Sequence, residues 1–177
     1  GPGEFNQTNI VGTFGLLEAV RAYWGALPAP ARADFRFLHV STDEVYGSLK
    51  KTDPAFTETS HIEPNSPYSA SKAACEMVIA SYSASFLEAQ GVAVARARAG
   101  NVIGGGDWAE DRLIPDMMRA ICQRQPVCIR SPHAIRPWQH VLEPLSGYLI
   151  LAERLFEHGT AFAEGFNKDR TSWQKQK

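Results

Sequence analysis

Residues 35–44 read FRFLHVSTDE, an apolar run followed at once by two hydroxyl and two carboxyl side chains. The apolar part, residues 35–41, has the length and composition of a β-strand. In α/β folds the carboxyl end of such a strand presents side chains to a crevice. Thr42, Asp43 and Glu44 are therefore candidate site residues, although an Asp-Glu pair after a strand can also simply begin a turn.

Helices and strands alternate on both sides of this predicted strand. Residues 8–24 carry apolar side chains at helical spacing, and Pro67 opens a second helix that we expect to run to residue 90. The sequence predicts four further elements: a strand at 92–99, a helix at 113–124, a short strand at 127–130 and a helix at 144–158. This alternation predicts an α/β fold with a parallel sheet.

The remaining segments carry no periodic apolar pattern. Residues 47–66 are rich in Thr, Ser, Pro and Asp, which predicts a long loop of the kind that often serves function. Residues 1–5, GPGEF, resemble a cloning remnant, and we place them outside the fold. We expect residues 6–166 to form one domain and the polar residues 167–177 to form a disordered tail.

Composition excludes several classes of function. The chain has 177 residues, 44% of them hydrophobic, and a net charge of -1, which leaves no basic footprint for nucleic acid or an anionic membrane. No apolar run approaches the roughly 18 residues of a membrane span. The three cysteines, Cys75, Cys122 and Cys128, include no C-x-x-C pair, so we predict no disulfide framework, no metal site and a cytoplasmic location.

Tyr68 and Lys72 lie four residues apart near the start of the predicted second helix, so their side chains share one face. An ammonium group held near a phenol favours the phenolate and lowers the pKa of the tyrosine toward the range useful for proton transfer. The spacing alone is weak support, because a solvated Tyr and a solvated Lys give the same pattern.

Three motifs, in this order, resemble the extended short-chain dehydrogenase/reductase family: HVSTDEVYG (39–47), SPYSASKAACE (66–76) and ARAGNVIGGGDW (97–108). An Asp-Glu pair after Ser-Thr resembles the nucleotide-sugar 4,6-dehydratases rather than the epimerases. Residues 104–116 and 130–149 resemble the CDP-glucose 4,6-dehydratases more closely than the dTDP-glucose enzymes. Over residues 9–167 the resemblance implies a partial Rossmann-like fold, a truncated doubly wound parallel sheet with flanking helices.

The resemblance also implies a mechanism. Tyr68, assisted by Lys72 and the Thr42 hydroxyl, takes the proton of the sugar's hydroxyl at carbon 4 while hydride passes to NAD+. Glu44 then takes the proton at carbon 5 and Asp43 protonates the hydroxyl leaving carbon 6. Hydride returns to carbon 6 and leaves a 4-keto-6-deoxy sugar nucleotide. Tyr68 and Lys72 are also the residues that match the family's cofactor contacts.

Two further residues and a dimer follow from the same resemblance. Asn101 and Arg136 match family residues near the substrate's diphosphate, a group that suits a guanidinium fork. Without the resemblance Arg136 is read as a surface charge. The helices at 8–24 and 67–90 resemble the pair that packs against a second subunit, so we expect a homodimer, with trans pairing of the strand at 35–40 as a further option.

The sequence holds no glycine-rich turn that follows a strand and opens a helix, the feature that binds the pyrophosphate of NAD. The chain therefore reads as a fragment without the N-terminal NAD-binding half and without the C-terminal end of the family's fold, and NAD binding is doubtful. Three readings stay open: an active dehydratase completed by an oligomer or a separate fragment, a silent module that binds a sugar nucleotide or another subunit, and a purely structural module whose helices serve only dimerisation. We favour the second for this chain.

Overall fold

The computed structural model describes residues 1–49 and 52–168, with side chains described through residue 159. Two compact units are distinguished, residues 1–99 with 148–177, and residues 100–147. Of the predicted tail, residues 169–177 lie outside the described part of the chain. In the described part, no helix has the length and apolar character needed to cross a membrane.

The chain begins with helical backbone. Helix α1 (Pro2–Phe5), a π-helical segment (Asn6–Val11) and helix α2 (Gly12–Ala26) follow one another with right-handed helical angles at each junction. The helix predicted at 8–24 is thus present and longer at both ends. Within residues 1–5, which we place outside the fold from their sequence, Pro2–Phe5 is helical and Phe5 lies edge-on against the Tyr68 ring, 5.6 Å between centroids. Five residues are too few to show a helical period.

The central motif of the first unit is a strand, helix, strand crossover. Strand β1 (Arg36–Thr42) pairs in parallel with strand β2 (Ala93–Ala99), and helix α4 (Pro67–Tyr82) lies between them in sequence, followed by a π-helical turn (Ser83–Leu87). Both strands, their parallel pairing and the long helix are predicted from sequence and confirmed. Among the described residues, β1 has a strand partner on one edge only.

The apolar core of this unit lies between the helices and the two strands. Its larger cluster comprises Leu17, Val20, Phe37, Ile79, Leu87 and Val92. A second cluster, Ala93, Ala95 and Leu155, joins β2 to the last helix. A short helix α3 (Ala29–Ala33) leads into β1. The core therefore fixes α4 against the sheet and sets where the carboxyl end of β1 lies.

The second unit contains strands β3 (Asn101–Ile103) and β4 (Trp138–His140), which pair in parallel, and helix α5 (Leu113–Cys122). Helix α6 (Leu142–Lys168) begins here and continues into the first unit, with non-helical angles at Gly159. The helices predicted at 113–124 and 144–158 are confirmed.

The prediction of a strand at residues 127–130 is wrong. These residues form no ladder, and Val127 and Ile129 are exposed. Their alternating apolar pattern lacks a neighbouring strand, and the preceding Pro126 has no N–H to donate.

Candidate functional site

The three residues after the apolar run of β1 combine a strand end with a turn. Thr42 closes β1 and caps a 3₁₀ turn (Asp43–Tyr46), its Oγ1 accepting the Glu44 N–H at 3.3 Å. The same hydroxyl donates to Asp43 Oδ1 at 3.4 Å. Thr42 is buried, whereas Asp43 and Glu44 are half-buried. Asp43 and Glu44 do begin a turn, and in that turn both residues keep part of their surface in contact with solvent.

Helix α4 begins at a reciprocal cap and carries the Tyr-Lys pair in its first two turns. Ser66 Oγ accepts the Ser69 N–H at 3.1 Å, and Ser69 Oγ accepts the Ser66 N–H at 3.0 Å. Tyr68 and Lys72 are both half-buried. Lys72 Nζ donates to the Val40 carbonyl at 2.9 Å. The structure therefore brings the ammonium group to the end of β1, two residues before Thr42.

A chain of two hydrogen bonds, which the sequence did not lead us to expect, ends at the backbone carbonyl of Tyr68. Asn9, in the π-helical segment, donates from Nδ2 to Ser71 Oγ at 2.9 Å, and Ser71 Oγ donates to the Tyr68 carbonyl at 2.7 Å. A polar amide in the middle of an apolar helical pattern is the available signal, since such a side chain usually has a specific partner.

A buried ion pair between α4 and β2, also missed, lies beside the turn. Glu76 is 1% exposed and receives Arg98 Nε at 2.8 Å, a second bond from Arg98 Nη2, and Ser41 Oγ at 2.5 Å. Burial alone raises the pKa of Glu76, but the hydrogen bonds from Arg98 and Ser41 outweigh it and hold that pKa below its usual value. Arg98 Nη1 donates to Tyr46 Oη at 2.5 Å. The sequence signal is arginine at alternate positions of a strand that is otherwise small and apolar.

His39 lies on β1 one residue before the carbonyl that binds Lys72. Burial, and then the positive charge of Lys72, lower its pKa to about 4. Its Nε2 is buried and has no hydrogen-bond partner among the described residues. The imidazole is therefore neutral near pH 7 and adds no positive charge beside Lys72.

The predicted loop after β1 folds back onto the turn. Gly47 has φ of 84°, and a Cβ there would overlap the Glu63 carbonyl oxygen. The Glu63 N–H donates to the Val45 carbonyl at 3.0 Å, and the Phe56 ring stacks on Tyr46 at 5.0 Å. The loop is thus anchored beside Asp43 and Glu44.

The two residues assigned to the diphosphate lie in the second unit. Asn101 opens β3 and pairs in register with Trp138. Arg136 precedes that strand by two residues, is exposed, and makes no side-chain hydrogen bond or ion pair with the described residues. The guanidinium is available to an anion. No cluster of three or more metal-ligating side chains occurs in the described ranges.

Comparison with known proteins places the chain in a family. A family model described as GDP-mannose 4,6 dehydratase matches residues 1–164. The chain is 43% identical to the CDP-glucose 4,6-dehydratase of Salmonella typhimurium over 94% of its own length and 45% of the relative's. It is 45% identical to a dTDP-glucose 4,6-dehydratase of Xanthomonas campestris pv. campestris, over 80% of this chain and 39% of that one.

A solved structure supports the same family assignment. The dTDP-glucose 4,6-dehydratase of Bacillus anthracis, crystallised with NAD, superposes with a TM-score of 0.70 and 32% identity, covering 84% of this chain and 43% of that one. The chain spans less than half the length of these relatives. The fold is the Rossmann type of these enzymes, and the expected resemblance is confirmed: the chain belongs to the GDP-mannose 4,6 dehydratase family of nucleotide-sugar dehydratases.

Proposed function

We propose that the chain carries the catalytic part of an NAD-dependent CDP-glucose 4,6-dehydratase, and that these 177 residues alone bind the sugar nucleotide without turning it over. The observation that carries the proposal is the contact of Lys72 Nζ with the Val40 carbonyl. It sets a fixed positive charge at the end of β1, beside the segment that holds Thr42, Asp43 and Glu44.

Proton transfer is divided among these side chains by their chemistry. The Tyr68 phenolate, which the Lys72 charge one helical turn away favours, takes the proton of the hydroxyl at carbon 4 and becomes the phenol. Glu44 takes the proton at carbon 5, and Asp43 supplies a proton to the hydroxyl that leaves carbon 6. The Thr42 hydroxyl, which donates to the Asp43 carboxylate and accepts the Glu44 backbone N–H, orients the Asp43 carboxyl and fixes the backbone at Glu44.

The residues present fit one end of NAD. An ammonium group has three N–H donors, and among the described residues Lys72 uses one of them on Val40. The others suit a ribose hydroxyl, with Tyr68 beside it. When bound, NAD supplies the hydride acceptor for carbon 4 and the hydride donor for carbon 6. The 177 residues offer no glycine-rich turn for the pyrophosphate, which is why we expect no turnover from them alone.

Asn101 and Arg136 are assigned to the diphosphate of the substrate. The support is the exposure of Arg136 and the fit of its planar fork to phosphate oxygens. The cytidine nucleotide is favoured because similarity to the Salmonella typhimurium enzyme extends over 94% of the chain, against 80% for the Xanthomonas campestris enzyme.

Two assays on the same samples test the proposal. Equilibrium dialysis measures binding of CDP-glucose and, as the competitor, dTDP-glucose. Mass spectrometry of CDP-glucose incubated with the chain and NAD+ measures the loss of one water. We expect preferential binding of CDP-glucose and no water loss, with an affinity about 10- to 100-fold lower for Arg136→Ala. Product formation would contradict inactivity of the isolated chain, and lack of binding would contradict the proposed function.

We also propose a homodimer that uses α2 and α4. Its support is a set of exposed apolar side chains along the two helices and the π-helical segments that adjoin them: Val11, Phe14, Leu16, Tyr23, Met77 and Phe86. Phe14 and Phe86 both contact the Tyr82 ring, so this surface is continuous between the helices. Sedimentation velocity at micromolar concentration should give a dimer, and Phe14→Glu should give a monomer. A wild-type monomer contradicts the assignment.

A further inference from the structure

The turn at Asp43–Tyr46 is tied down on both sides by one buried ion pair. Ser41, before the turn, donates to Glu76 at 2.5 Å. Tyr46, at the end of the turn, accepts from Arg98 at 2.5 Å. The two partners, Glu76 and Arg98, hold each other through two guanidinium nitrogens. The chain thus leaves the pair at Ser41 and returns to it at Tyr46.

We propose that the Glu76–Arg98 pair is a positioning element that fixes the Thr42, Asp43, Glu44 segment against α4 through Ser41 and Tyr46. That the positioned residues are catalytic rests on the proposed function. The tethering itself does not, because it follows from contacts within this chain.

The position of Glu76 on α4 is the first argument for this role. Glu76 follows Lys72 by one helical turn, and the two side chains reach successive residues of β1, Ser41 and Val40. Helix α4 therefore fixes the position of the end of β1 through two contacts, one from Lys72 and one from Glu76. A displacement of Glu76 would move the strand relative to Lys72, and thus relative to the ammonium charge.

The geometry of Arg98 is the second argument. Arg98 lies directly opposite Ser41 in the β1–β2 register, so its side chain extends from a backbone position beside the end of β1. Nε and Nη2 bind Glu76 while Nη1 binds the Tyr46 hydroxyl. A planar fork can serve both partners at once, which a lysine ammonium cannot do in the same geometry. Buried, fully bonded polar networks of this kind rigidify their surroundings.

Loss of the pair itself would unfold more than the turn, so the test removes one tether at a time. Ser41→Ala and Tyr46→Phe each delete a single hydroxyl and leave the Glu76–Arg98 bonds in place. Ser81→Ala and Tyr82→Phe are the matched controls, because each deletes one hydroxyl whose hydrogen bond lies at the surface, Ser81 to the Val78 carbonyl and Tyr82 to Glu18. The measurement is amide hydrogen exchange, by mass spectrometry, of peptides covering residues 43–47 in the 177-residue chain.

Loss of one hydrogen bond corresponds to about a five- to tenfold change in a local equilibrium. We expect exchange in 43–47 to accelerate by about that factor in Ser41→Ala and Tyr46→Phe, with exchange of the α4 core amides unchanged. Ser41→Thr, which keeps the hydroxyl, should restore protection of 43–47. The two control variants should leave these peptides as in the wild type.

Unchanged exchange in both test variants overturns the proposal, as does equal acceleration in the controls. Acceleration spread over α4 and the core also overturns it, because that result indicates a general structural role. The dialysis assay with CDP-glucose is run on the same variants. If the wild type fails to bind CDP-glucose while 43–47 responds as expected, the proposed function fails and the positioning role stands.

Discussion

Residues 1–99 and residues 100–147 are held together by different forces. The first region, with the helix from Tyr148 onward, contains all three apolar clusters of the described core. In the second region the buried residues are two prolines, Pro115 and Pro144. Its stabilising contacts include ion pairs at exposed or half-exposed positions: Asp107–Arg112, Asp111–Arg130 and Asp116–Arg119.

The two regions also contain different kinds of candidate site residue. The proton-transfer candidates Thr42, Asp43, Glu44, Tyr68 and Lys72 lie in the packed region, where burial and hydrogen bonds hold side chains in place. Asn101 and Arg136 lie in the second region, residues 100–147, where Asn101 is half-buried and Arg136 is exposed. We therefore expect ion pairs and apolar contacts in residues 1–99 to contribute more to stability than those in residues 100–147.

The largest contrast concerns ion pairs. Glu76→Ala leaves the half-buried Arg98 without its carboxylate partner and should lower the free energy of unfolding by about 3–5 kcal/mol. Asp107→Ala removes the partner of Arg112, whose side chain is 65% exposed, and should cost less than about 1 kcal/mol. Urea denaturation measures both. Equal costs would show that the buried pair is not the stronger element.

An apolar pair of positions gives the next contrast. Ile79, in α4, is 0% exposed and packs in the largest cluster, so Ile79→Ala should cost about 2–5 kcal/mol. Ile121, in α5, is 57% exposed, so Ile121→Ala should stay within about 0.5 kcal/mol of the wild type. Both values come from denaturant titrations of the same chain. A large effect at Ile121 would mean that its face is covered in solution.

The third contrast is a pH dependence that His39 confers on the packed region, residues 1–99. The folded pKa of His39, about 4, lies below its unfolded value of 6.5, so between these pH values the unfolded chain binds one more proton. Its contribution to stability is present above pH 6.5 and falls by up to about 1.4 kcal/mol per pH unit toward pH 4. The melting temperature should fall over this window.

Two histidine variants test whether this pH dependence of stability comes from His39. His39→Gln should flatten the change between pH 6.5 and 4, whereas His133→Gln, at an exposed position, should retain it. Glu76 acts in a lower window, because its pKa is held below the unfolded value and its contribution is lost only as the pH falls below about 4.5. An unchanged slope in His39→Gln contradicts the assignment.

Sequence periodicity was sufficient for the elements of the packed region. Strands at 36–42 and 93–99 and the helix opened by Pro67 have enough residues for an apolar pattern to be recognised. Strands β3 and β4, with three residues each, are too short to show one. At 127–130 an apolar alternation exists without a partner strand, and pairing is a tertiary property that the local pattern does not contain.

The candidate site was predictable in part. The residues at the end of β1 and at the start of α4 follow from motif order, and the structure brings Lys72 to the strand end. The link from Glu76 to Arg98 joins residues 22 positions apart through side chains alone, so no local pattern announces it. Its only trace in the sequence is arginine at a strand position where a small apolar residue is expected.

The most direct test of the account is amide chemical-shift mapping of CDP-glucose on the ¹⁵N-labelled chain. The account predicts saturable shifts that are largest at Thr42, Asp43, Glu44, Tyr68 and Lys72, and weaker binding in Arg136→Ala. Shifts confined to α2, or none with CDP-glucose in the millimolar range, would contradict the assignment of these residues to a nucleotide-sugar site.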